Sequence, residues 1–157
     1  MGMRRSVAWT VCGVGALVAG GVAPAAALTP EADLAYHGDA SMADGRVDVR
    51  VTPRNHGPNA VQDATVRLRW SVPLADRQRL PDGCARSEVR AVICRTGALP
   101  ADGLGEEIRL AVRLRGAPPA EVMLEFDTVW GGGAVDRNSA NDRQRVLVLD
   151  TGDSYAF

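Results

Sequence analysis

Asn55-His56-Gly57-Pro58-Asn59, the run Thr65-Val66-Arg67-Leu68-Arg69-Trp70, and the pair Cys84 and Cys94 decide how this chain reads. The first five residues tolerate positive φ or fix it, so they make a turn. The run that follows alternates: Val66, Leu68 and Trp70 share one face, and Thr65, Arg67 and Arg69 share the other. A period of two with one apolar face is a half-buried β-strand. The cysteines close the stretch with nine residues between them. Together these features predict a small oxidised β-domain.

Working outward, the same period recurs. Val47, Val49 and Val51 alternate with Asp48 and Arg50 after a turn at Gly45. Pro53 is expected to end that strand, because proline has no N–H for a ladder. Asp33 to His37 reads as a short first strand and Val89 to Cys94 as a brief one, with Leu74–Gly83 weakly patterned between them. A Gly/Pro/Asp-rich loop covers Gly97 to Gly105. Ile108, Leu110, Val112 and Leu114 then face one way, as do Val122, Leu124 and Phe126 beyond the Gly116–Ala120 loop. Folded as a hairpin, this places Leu114, Val112 and Leu110 opposite Val122, Leu124 and Phe126. Arg115 then meets Glu121 and Arg109 meets Asp127 on the outer face, a register both faces agree on. Trp130 and Gly131–Gly133 end that strand, and Arg145 to Leu149 forms the last one. About seven strands at short spacing predict an immunoglobulin-like sandwich. Trp70 precedes both cysteines, so the antibody arrangement of a tryptophan between two distant cysteines is absent.

The chain of 157 residues divides into four parts. Arg4 and Arg5, the apolar Val7–Val22 run and Ala25-Ala26-Ala27 read as a secretory signal cleaved before Leu28. Residues 28–32 read as a linker, 33–150 as the sandwich and 151–157 as a C-terminal tail. Cys12 leaves with the signal, and the remaining even pair in an exported chain reads as one disulfide. No second apolar span follows, which predicts a secreted product with no integral membrane span after cleavage. That product keeps all 19 acidic residues and loses only Arg4 and Arg5 of the 18 basic ones, for a formal net charge of −3. Such a balance gives no footprint for nucleic acid or anionic membrane. Every basic residue is arginine, which excludes Schiff-base chemistry and Lys–Asn isopeptide crosslinks.

The ordered motifs resemble a repeat domain of bacterial surface and secreted proteins, domain-of-unknown-function family eleven. The likeness runs over nearly all of Asp33 to Leu149. It rests on Ala32-Asp33-Leu34, Asn55-His56-Gly57-Pro58, Gly83-Cys84, Ile93-Cys94-Arg95-Thr96-Gly97, Leu99-Pro100 to Gly103, and Asp136-Arg137-Asn138-Ser139-Ala140-Asn141. The resemblance implies an immunoglobulin-like sandwich with a structural or adhesive role in the cell envelope, and it carries no catalytic residues to this chain. Two departures stand out. There is one copy where the family often has tandem repeats, and Asp142 replaces the second residue of a usual Asn pair.

Candidate sites are few. The Cys84–Cys94 pair is expected to be structural, since its spacing is not that of a redox-active Cys-x-x-Cys. The loop it encloses could present Arg86 or Arg90 to an extracellular enzyme, which gives the alternative reading of a secreted inhibitor or ligand. Asp136, Asn138, Asn141 and Asp142 carry oxygens suited to calcium, although the spacing is not that of an EF-hand and these residues are ordinary turn formers. Trp130, Tyr155 and Phe157 are the expected exposed aromatics, available to a glycan or a protein. His37 and His56 form no pair suited to nucleophilic catalysis, and there is no Gly-x-Ser-x-Gly elbow. The reading is a non-catalytic module with no cofactor and an unidentified protein or cell-wall glycan as partner.

Overall fold

The computed structural model describes residues 28–157; the expected signal at 1–27, with Cys12, lies outside the described residues. Alternation of branched apolar residues with arginine and carboxylates leaves no helical stripe to bury, and the described chain is built from strands. In chain order these are β1 (Glu31–Ala32), β2 (Leu34–Ala43), β3 (Arg46–Asn55), β4 (Thr65–Trp70), β5 (Cys84–Glu88) and β6 (Ala91–Arg95). They continue with β7 (Gly103–Leu104), β8 (Ile108–Arg113), β9 (Glu121–Trp130), β10 (Val135–Asp136), β11 (Arg143–Leu149) and β12 (Ser154–Ala156). One sheet runs β12-β2-β3, with β8 and the short β7 sharing the far side of β3; the other runs β11-β9-β4-β6-β5. Among the described residues no helix is long and apolar enough to cross a membrane.

The longest ladder joins β2 to β3 through Asp44 and Gly45, whose φ angles are 51° and 69°. Two successive positive φ values give the tight turn whose twist matches the strands it connects. Ala43 therefore faces Arg46, and the register runs unbroken to Leu34 opposite Asn55. Pro53 does not end β3. Its carbonyl accepts from the Gly105 N–H at 2.9 Å on the side where β8 has stopped and β7 has not begun. Its missing N–H falls in that gap, so the ladder loses nothing.

The expected inward faces hold. Val47, Val49, Val51, Val66, Leu68, Trp70, Leu110, Val112, Val122, Leu124 and Phe126 are all buried between the two sheets. Burying each such side chain contributes about 1.5–3 kcal/mol. The expected hairpin does not form, however. β8 pairs with β3, Val112 lying opposite Val47, whereas β9 pairs with β4 and β11 in the other sheet. Gly116–Ala120 carries the chain across the sandwich. Arg109 and Arg115 accordingly pair with Glu107 and Asp76, and Asp127 is taken by Arg67.

Both ends of the described chain are built in. Glu31 and Ala32, expected as linker, run parallel to Val135 and Asp136, with Ala32 buried against Leu34, Val61, Ala64 and Leu99 in a smaller second core. Residues 151–157, expected as a tail, include β12, which pairs with β2. Beyond it Phe157 exchanges two backbone hydrogen bonds with Gly38, at 3.1 and 3.2 Å.

Candidate functional site

Cys84 and Cys94 face each other across the β5–β6 ladder and are joined by a disulfide. The segment they enclose is thus a paired hairpin at the edge of a sheet. Within it Arg86 corrects the sequence expectation of an inserted side chain. Its guanidinium donates to the carbonyls of Leu74, Ala75, Asp76, Glu88 and Val89 at 2.7–3.2 Å. A planar five-donor fork is suited to gathering several carbonyls, and here it ties the 74–76 segment to the hairpin turn. Arg90 stays exposed at that turn, lining a shallow depression with Arg69, Trp70 and Glu125.

The Asp136–Asp142 loop is drawn together by hydrogen bonds to the start of β2. Asp136 accepts from the backbone N–H of Leu34 and of Asn138, both at 2.8 Å. Asn141 donates its amide to Asp33 at 2.7 Å, and Asn138 reaches the same oxygen at 3.5 Å. Asp142 is only 7% exposed. Burial, and next the charge of Asp136, push its carboxyl above the usual range, while the nearby Thr128 hydroxyl pulls the other way. Thr128 bonds the buried Tyr36 hydroxyl at 2.7 Å, and burial raises that phenol. Among the described residues no three His, Cys, Asp or Glu side chains are grouped to hold a metal ion. The loop acts as a clasp that fastens β10 and the start of β11 to β2.

Of the three expected exposed aromatics, Trp130 alone is open, at 52% exposure, on the outer face opposite Thr65. Tyr155 and Phe157 are half-buried against the main core, and the Phe157 ring stacks on Phe126 at 4.3 Å between centroids. They are corrected for the same reason as the tail: β12 needs apolar cover on its inner side. His37 and His56 are both exposed, and neither imidazole has a hydrogen-bond partner among the described residues.

Two groupings escaped the sequence reading. The outer face of β4, β9 and β11 carries a charge ladder, with Arg67 on Asp127 through two bonds of 3.0 and 2.7 Å and Arg145 on Glu125 at 3.0 Å. The strand alternation alone placed these residues outward, but their partners lie about 60 residues apart or on a neighbouring strand, where no local signal reaches. The second grouping brings Arg77, Arg79 and Arg113 to one cleft. It arises only because the weakly patterned Leu74–Gly83 segment docks on β8.

The fold and these sites define a disulfide-bonded all-β domain of two facing sheets, whose polar side chains mostly secure its own loops. No protein-family model, curated protein or solved structure matches this chain.

Proposed function

We propose that this chain is a secreted, non-catalytic structural or interaction module of the bacterial cell envelope, with an immunoglobulin-like arrangement of its sheets. The observation that carries the reading is the Cys84–Cys94 bridge between facing residues of an edge hairpin. Such a permanent covalent tie belongs to oxidising compartments. Strand order supports the immunoglobulin-like arrangement. The strands β2, β3 and β8 share one sheet and β4, β9 and β11 share the other, with the β5–β6 hairpin extending the second sheet beyond β4. That division matches the separation of strands A, B and E from C, F and G. The motifs quoted for the family-eleven resemblance fit the same reading, since Asn55, Gly57, Asp136, Asn138 and Asn141 all hold loops in place.

The test is retention of partners by the immobilised protein, using purified cell wall and the proteome of the surrounding medium. Retention by wall material is the expected result. Capture of a single protease, lost on Arg90→Ala, would instead favour the inhibitor reading, which now rests on Arg90 alone. Turnover of a glycan or ester substrate would overturn both.

A further inference from the structure

Among the described residues most arginines are committed to a partner. Most guanidinium groups hold a carboxylate, as Arg67 holds Asp127, and Arg86 holds backbone carbonyls. Among the described residues, only Arg77, Arg79, Arg90 and Arg113 have neither an acidic partner nor a side-chain hydrogen bond. Three of these four, Arg77, Arg79 and Arg113, line one cleft of about 510 Å³ with Arg46, Gln78 and Ala111.

The charge there is not balanced from within. Arg46 lies directly opposite Arg113 in the β3–β8 ladder, and like charges so placed destabilise a sheet. Asp48 neutralises Arg46 at 2.8 Å, and the Asp76 carboxylate turns to Arg115. Three guanidinium groups are left facing one concavity, in a domain whose formal charge from Leu28 onward is negative.

The cleft is also braced. The Gln78 side chain donates to the carbonyls of Ala75 and Arg113 at 2.9 and 2.8 Å and accepts the Arg113 N–H at 2.9 Å. This imitation of a strand holds the segment bearing Arg77 and Arg79 against the outer edge of β8. With the Arg113 backbone groups turned to that side, alternation turns the Ala111 N–H there too, and β8 has no ladder partner beyond β3.

We propose that this cleft is a phosphate-binding site, in which Arg77, Arg79 and Arg113 clasp the oxygens of a phosphate-bearing ligand. A carboxylate offers two oxygens, which one guanidinium fork satisfies. A phosphate offers three in tetrahedral array and takes two or three forks. The volume fits one or two phosphate groups, and the negative charge of the domain disfavours an extended duplex. The site does not depend on where the domain resides.

Calorimetric titration of protein produced from the full-length chain, at low ionic strength, tests the proposal with sodium pyrophosphate, a glycerol-phosphate oligomer and citrate as probes. One-to-one binding of pyrophosphate is expected, weakened about ten-fold or more by each of Arg77→Ala, Arg79→Ala and Arg113→Ala. Arg79→Lys, which keeps the charge and removes the fork, should also weaken it, and Arg90→Ala should leave it unchanged. Unaltered circular-dichroism melts show that the variants remain folded. An oligomer bound ten-fold tighter than pyrophosphate assigns the ligand to a phosphodiester polymer, and equal binding assigns it to free phosphate. No binding at millimolar pyrophosphate, equal binding of citrate, or equal loss in Arg90→Ala would overturn the proposal.

Discussion

Asn55 is wholly buried, and its side chain meets four backbone groups. Its oxygen accepts from the N–H of Gly57 and Asp33 at 2.9 and 3.2 Å, and its amide donates to the carbonyls of Asn59 and Pro100 at 2.8 and 3.2 Å. One residue thus joins the turn, the start of β2 and the loop before β7. Asn55→Ala leaves those groups unpartnered and should cost about 3 kcal/mol, read as a fall in the urea midpoint at constant m-value. An unchanged midpoint would mean that water replaces the amide. Gly57 belongs to the same turn, because a Cβ there would lie 2.5 Å from the Ala32 Cα. Asp142 gives a pH dependence. Its raised pKa means that the folded state holds the proton more tightly than the unfolded state. Its contribution to stability is therefore greatest in acid and declines as pH rises above about 4, the unfolded value. Asp142→Asn should flatten that decline and melt higher than wild type at pH 7. Parallel pH profiles for the two proteins would refute this.

Among the elements, β8 and β9 show what periodicity contains and what it omits. Their inner faces were legible because Leu110, Val112, Val122, Leu124 and Phe126 recur at every second residue, and all are buried. Their partners were not, since an apolar face is satisfied by any facing sheet, and the crossed charges of Arg109 and Asp127 happened to fit a hairpin as well. A double-mutant cycle separates the two pairings. Arg67 and Asp127, half-buried and joined by two hydrogen bonds, should couple by about 0.5–1 kcal/mol, and Arg109 and Asp127 by about zero. A larger coupling for the second pair would contradict the sheet order. The Leu74–Gly83 segment was illegible for another reason. Its docking depends on the Arg86 guanidinium and the Gln78 amide, which act through backbone groups and leave no apolar period. The arginine cleft it completes was hidden with it, whereas the disulfide was readable from the even pair left once Cys12 is assigned to the expected signal.

On the scale of the whole molecule, the C-terminal strand finishes the first sheet. Ser154–Ala156 lack a discernible period, so nothing local marked them as a strand, yet they cover β2, and Phe157 lies on Phe126. Removing residues 154–157 uncovers an edge of unpaired N–H and C=O groups, the kind of edge that recruits other chains. The truncated protein should melt lower and, by light scattering, self-associate at concentrations where the intact protein does not. A monomeric truncation of unchanged melting temperature would place this strand outside the cooperative unit. Finally, the disulfide has a mechanical consequence. Stretched from its two ends, the unfolded chain is shortcut between Cys84 and Cys94, whose sequence separation is 10 and whose Cα atoms are 4.1 Å apart. At about 3.5 Å per extended residue, the oxidised protein should yield a contour about 30 Å shorter than the reduced one under force, and the β5–β6 hairpin turn would never bear load.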